Sequence, residues 1–192
     1  MNTLGIDLGQ KGTRHTTKSS FIALDLAGNG DGREAVDLGC ADGFWSDKLK
    51  SGNWIVKSID KETSYNGAIE YNLNRGLPFP NSSLDLVFST ATIAYLDDTN
   101  LFVSEIKRVL KPDGRFIITT PNLGFWLSKF VNLKKMADQD QKHFFEINSI
   151  REIFPKSKIY GYFPYWLLKF RVSKLVDSLS PIFIIYGNKS DL

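Results

Sequence analysis

The segment Val36-Asp37-Leu38-Gly39-Cys40-Ala41-Asp42-Gly43 restricts the fold of this chain more than any other stretch. Ala35 to Leu38 reads as a buried strand, and a helix begins at Phe44 and runs to Leu49. The turn between them holds only small residues and one aspartate. Gly39 and Gly43 permit backbone angles and a close ligand approach that a Cβ would block. A helix leaving such a turn aims its free N–H groups back at it, where they favour a carboxylate or phosphate. A strand, a tight turn and a helix in this order form the opening half of a parallel βαβ unit.

The rest of the chain repeats that rhythm. Trp54 to Ile59, Ala68 to Tyr71, Leu84 to Phe88, Arg115 to Thr120 and Lys158 to Phe163 read as further strands, and Ile182 to Tyr186 as the last. Phe102, Ile106, Val109 and Leu110 fall at helical spacing, so Thr99 to Leu110 is predicted helical, with Lys111-Pro112-Asp113-Gly114 as the turn that ends it. Further helices are predicted over Thr16–Leu26, Ser64–Gly67, Ile147–Phe154 and Tyr165–Leu179. Gly28 to Gly32 lacks the Lys and Ser/Thr of a phosphate loop and reads as a connector. Alternating strands and helices predict an α/β doubly wound sheet. The 192 residues suit one domain, with 1–33 as an N-terminal arm and 123–146 as a substrate lid.

Asp60 closes the second strand, where an acid can accept both hydroxyls of a ribose. The turn and this acid together suit an adenosine-type ligand with an anionic arm. A dinucleotide fingerprint starting at Gly39 would demand a small residue where Phe44 stands. Asp37, a buried acid at the strand end, can attract the cationic amine of a methionine moiety. Both points favour S-adenosylmethionine (SAM) over NAD.

Val36 to Gly43 resembles the first motif of the class I SAM-dependent methyltransferases. Gly76-Leu77-Pro78-Phe79-Pro80-Asn81-Ser82-Ser83-Leu84-Asp85-Leu86-Val87 is similar to the family's LPFPDNSFDLV segment, and Glu105 to Gly114 to its ExxRVLKPGG helix and turn. Thr120-Pro121-Asn122 follows the fifth strand, as in the ubiquinone-biosynthesis-like, or type 11, branch. The resemblance runs from about residue 34 to 122 in the family's order. It implies a Rossmann-like, mostly parallel seven-stranded sheet with an antiparallel last strand, in a three-layer αβα sandwich. It implies methyl transfer from SAM to a small-molecule acceptor by in-line displacement.

The resemblance also implies site roles. Asp37, Gly39, Cys40, Ala41 and Gly43 form the methionine-side loop. Asp60 holds the ribose, with Lys61 beside it. Asn72 and Leu73 sit where the family receives the adenine amine. Ser89 and Thr90 end the fourth strand beneath the sulfonium, and Tyr95 faces the acceptor. Three departures from the family's pattern stand out: Ala41 replaces the loop's middle glycine, Asn72 an aspartate, and Tyr95-Leu96-Asp97 a Glu-His pair. They keep open an alternative, a SAM-fold binding or partner protein with reduced catalysis.

A general base is needed only if the acceptor loses a proton. His143, in the irregular segment bordering the acceptor, is the candidate, against the plainer reading of a surface histidine. Cys40 reads as a small loop residue rather than a nucleophile, and Glu105, Lys107 and Arg108 as a solvated helix face. The aromatic run Tyr160 to Trp166, followed by Lys169, Arg171 and Lys174, reads first as packing. Its second reading is a surface for an apolar or lipid-linked acceptor. A net charge of +3 is too weak to suggest nucleic acid. With one cysteine, no CxxC pair and no long apolar stretch, no zinc site, signal peptide or membrane span is expected, and a cytoplasmic location is.

Overall fold

The computed structural model describes residues 18–125, 140–163, 166–171 and 180–192. Helix α1 (Lys18–Ala27) leads into β1 (Glu34–Leu38), α2 (Phe44–Ser51) and β2 (Ile55–Asp60). The two-residue β3 (Ile69–Glu70) and a 3-10 turn at Leu73–Arg75 precede β4 (Leu84–Thr90). Then come α3 (Thr99–Val109), β5 (Leu110–Pro121), α4 (Ile147–Ile153), β6 (Lys158–Phe163), β7 (Trp166–Arg171) and β8 (Ile182–Asn188).

The strands form one sheet in the order β3-β2-β1-β4-β5-β8-β6-β7. The pairs β3·β2, β2·β1, β1·β4 and β4·β5 are parallel, with Asp37 opposite Ser58 on one side and Phe88 on the other. The antiparallel last strand, β8, is wedged between β5 and β6 and pairs with both. The doubly wound sheet is therefore present, with β7 added as an eighth strand at its edge.

Apolar residues on successive positions of one strand go to opposite faces. Ala35, Leu86, Phe88, Ile117 and Ile184 pack with Ala23 and Ala27 of α1 and Trp45 and Leu49 of α2. Val36, Val87, Ile118 and Ile185 pack with Phe102 and Ile106 of α3 and Ile147 and Ile150 of α4. Both faces of the sheet are thus covered, and the molecule has three layers. This double coverage explains why the central strands read as unbroken apolar runs rather than alternating ones.

Three predicted elements differ. Trp166–Arg171, read as part of a helix over Tyr165–Leu179, is a strand whose Arg171 pairs with Tyr160 and whose Phe170 pairs with Gly161. Its short apolar run fits either period, and the open edge of β6 decides it by offering backbone partners. The remainder of that stretch lies outside the described residues. Ser64–Gly67 holds a turn, not a helix, since four residues cannot offset the cost of helix nucleation. Lys111 to Gly114 do form an excursion, but inside β5: the β4·β5 register jumps from Leu84↔Leu110 to Leu86↔Arg115.

Glu105 and Arg108 are not a solvated face. Glu105 Oε2 accepts the Leu77 N–H at 2.7 Å and an Arg108 Nη2 bond at 2.7 Å. Arg108 also donates to the carbonyls of Leu77 and Phe79, both at 2.8 Å, and to Asn81 Oδ1 at 2.9 Å. The guanidinium beside Glu105 holds that carboxyl below its usual range. Two motifs that lie 28 residues apart, at Leu77 and Glu105, are one stitched structure.

Candidate functional site

Because β1, β2 and β4 are parallel, their C-terminal ends open at one edge of the sheet, where α/β folds place their ligands. A cavity of about 620 Å³ lies there. Gly39, Ala41 and Asp42 line it from the first turn, Asp60 and Lys61 from the end of β2, and Asn72 and Leu73 from the stretch after β3. Thr90, Ala91, Thr92 and Tyr95 line it from the end of β4, and Asp140 and Lys142 from the segment that follows residues 126–139.

The first turn is hung from β2. Ile59 O accepts the N–H groups of Gly39 and Cys40 at 2.8 and 3.0 Å. Asp60 Oδ2 accepts the N–H of Ala41 at 2.8 Å, which leaves lone pairs on both carboxylate oxygens for a ligand. At Gly39, with φ +79°, an added Cβ would lie 1.9 Å from Thr92 Oγ1. At Gly43, with φ +81°, it would lie 2.1 Å from the Tyr65 ring. Both glycines are therefore required by close packing as well as by backbone angle. Ala41 and Ala91 also adopt the left-handed region, at φ +50° and +59°. That conformation costs an L-residue about 1–2 kcal/mol, and such strain concentrates at functional sites.

Asp37 does not line the cavity. Its carboxylate is fully buried; Oδ2 accepts from Ser46 Oγ at 2.7 Å, and Ser46 accepts in turn from Ser58 Oγ at 2.7 Å. Oδ1 has no hydrogen-bond partner among the described residues. Burial outweighs the Ser46 bond and pushes the Asp37 pKa up to about 7. Alternation along β1 turns this side chain toward α2, opposite to Val36 and Leu38.

Cys40 and Gly43 support the turn without lining the cavity; burial raises the Cys40 thiol to about 12, which keeps it protonated. Ser89 is fully buried and donates to Leu38 O at 3.0 Å, so it braces β1 rather than facing the cavity. Asn72 Oδ1 accepts the Asn74 N–H at 3.0 Å, capping the 3-10 turn. His143 does not line the cavity. Its backbone N–H donates to Ala94 O at 2.9 Å, its ring stacks on Phe145, and Nε2 is buried with no partner among the described residues.

The expected lid, 123–146, is described only at its ends. There Lys142 N–H donates to Ala94 O at 2.8 Å, Leu123 N–H donates to Phe145 O at 2.9 Å, and Lys142 Nζ is ion-paired with Asp97. The side chains of Tyr162 to Arg171, and Lys174 with them, lie outside the described residues. Among the described residues no cluster of metal-ligating side chains occurs, and no helix is long and apolar enough to cross a membrane.

Several wall residues escaped the sequence reading. Thr92, two residues past β4, was within reach of the rule that strand C-termini carry the site. Asn74, Asp140 and Lys142 were not, because only the folded chain brings them to this edge.

Comparisons with known proteins converge on this architecture. Residues 36–118 match the family model described as a methyltransferase domain. A "Probable S-adenosylmethionine-dependent methyltransferase" of Mycolicibacterium smegmatis is 31% identical over 100 residues, covering 47% of this chain and 39% of the relative. The malonyl-(acyl-carrier protein) O-methyltransferase of Hahella chejuensis is 32% identical over 111 residues, covering 50% and 39%. The chain thus spans about two fifths of the length of these curated relatives. Among solved structures, a SAM-dependent methyltransferase from Archaeoglobus fulgidus superposes with a TM-score of 0.69 at 16% identity, covering 88% of this chain and 92% of that one. A Haemonchus contortus phosphoethanolamine N-methyltransferase in complex with SAM gives 0.65 at 20% identity, covering 84% and 43%. With the strand–glycine turn–helix unit, the acid closing β2 and the inserted antiparallel β8 in place, residues 36–118 are a region that matches a methyltransferase domain, and the chain has the fold of the SAM-dependent methyltransferases it superposes on.

Proposed function

We propose that this chain binds SAM in the cavity at the ends of β1, β2 and β4 and transfers its methyl group to a small-molecule acceptor. The observation that carries the reading is the convergence of the Gly39–Gly43 turn and the Asp60 carboxylate on one cavity. The residues fit the ligand. Gly39 and Ala41 line the cavity from the turn, with Thr92 packed where a Cβ on residue 39 would lie, and Asp60 retains lone pairs for a ribose diol. In this reading the turn holds the methionine end, and Asp60 and Lys61 hold the sugar. Asn72 and Leu73 wall the base, Thr90 lies beneath the reacting centre, and Tyr95 faces the acceptor.

Bound SAM supplies a methyl group on a sulfonium that is already a good leaving group. The protein's contribution is then chiefly to place acceptor and methyl in line, which alone lowers the barrier by several kcal/mol. No described basic side chain other than Lys61 and Lys142 lines the cavity. An acceptor that need not lose a proton to a histidine fits this wall.

Titration calorimetry with S-adenosylhomocysteine (SAH) tests the reading. The wild-type protein is expected to bind, and Asp60→Ala to raise Kd about a hundredfold by removing charge-assisted hydrogen bonds. No heat with the wild-type protein would overturn the proposal.

A further inference from the structure

Ala41 is held on both of its peptide groups by side chains from the end of β2 and the loop after it. On its N-terminal side Asp60 Oδ2 accepts its N–H at 2.8 Å. On its C-terminal side Thr63 Oγ1 donates to its carbonyl at 2.6 Å. Between those two anchors Ala41 sits at φ +50°, where glycine is at ease and alanine is not. Thr63 is itself fixed. Its Oγ1 accepts the Tyr65 N–H at 3.0 Å. The Tyr65 ring lies over Gly43, its hydroxyl bonds Asp47, and it accepts from Lys50 Nζ at 2.9 Å on α2. Along the same loop Glu62 and Ser64 line the cavity, while Thr63 bonds the turn and Tyr65 packs on it. Alternate residues thus build the wall and hold the turn.

We infer that Thr63 is a positioning residue. With Asp60 it clamps Ala41 in the left-handed conformation and so keeps the turn in its binding shape despite the absence of glycine at position 41. The inference rests on the SAM-binding reading for its consequence, but the clamp is a property of the chain itself. Without the Thr63 hydroxyl, Ala41 falls back toward negative φ and the competent turn becomes a minor population. Apparent affinity drops by that fraction. With glycine at position 41 the left-handed turn persists without the clamp, because glycine populates positive φ as readily as negative.

The test is a double-mutant cycle of Ala41→Gly and Thr63→Val, read as SAH affinity by calorimetry. Valine is nearly isosteric with threonine and preserves packing. Thr63→Val is expected to raise Kd about fivefold in the wild-type background and less than twofold in the Ala41→Gly background. Thr63→Ser, which keeps the hydroxyl, is expected to bind like wild type. The loss of the Tyr65 N–H acceptor is common to both backgrounds and cancels in the cycle. Equal effects of Thr63→Val in the two backgrounds, or no effect in either, would overturn the clamp.

A crystal structure of Thr63→Val reads the same device without ligand. Ala41 is expected to leave the left-handed region there, whereas the glycine at position 41 of the double variant is expected to keep positive φ. Ala41 in one conformer near φ +50° in Thr63→Val would refute the inference. A wild-type protein that ignores SAH but whose Ala41 moves in Thr63→Val would refute the functional reading and sustain the clamp.

Discussion

Asp37 ends a buried chain of hydrogen bonds that runs from Ser58 through Ser46, and its burial outweighs the hydrogen bonding it receives from Ser46. A carboxyl raised from 3.8 to about 7 binds its proton in the native state while the unfolded chain has already released it. Stability from this group is therefore complete below about pH 4 and declines as pH rises toward 7, after which it is level. The span corresponds to about 4 kcal/mol. Asp37→Asn keeps an acceptor for Ser46 and removes the titration. The wild-type protein is expected to lose stability relative to this variant between about pH 4 and pH 7, measured by urea unfolding, and parallel curves would refute the assignment. The sequence marked Asp37 as an acid at a strand end, but its neighbours in the chain do not reveal that Ser46 bonds it and Ser58 bonds Ser46.

At the scale of elements, the two family-like segments around Leu77 and Glu105 explain each other. The loop before β4 has no regular structure to satisfy its own carbonyls, so Arg108 does it: the carbonyls of Leu77 and Phe79 and the side chain of Asn81 share one guanidinium with Glu105. Lysine carries the charge but lacks the planar fork. Arg108→Lys is expected to cost about 2 kcal/mol by chemical denaturation, with the loop before β4 losing hydrogen-exchange protection first. The sequence put Glu105 and Arg108 on the solvated face of a predicted helix. It could not show that the face they form meets a loop rather than water. For the same reason Trp166–Arg171 reads as helix in the sequence and folds as a strand: a short apolar run has no preference strong enough to resist an available strand edge.

Across the whole molecule, the turn, the end of β2, the 3-10 turn and the segment after β4 all meet at one sheet edge, so a ligand there bears on several elements at once. SAH at about a hundred times its Kd is expected to add about 2.7 kcal/mol. For a chain of this size that raises Tm by about 5–10 °C, read by scanning calorimetry; an unchanged Tm would contradict binding at this edge. The alternation of strands and helices from β1 to β5, the glycine turn, the acid at the end of β2 and the family resemblance were legible in the chain by itself, because each is a local pattern of period, small residues and spacing. The place of β8 between β5 and β6, the burial of Asp37, the stitch through Arg108 and the hold of Thr63 on Ala41 belong to the tertiary structure. Each depends on hydrogen-bond partners or solvent exclusion supplied by residues distant in sequence, and no local pattern encodes those.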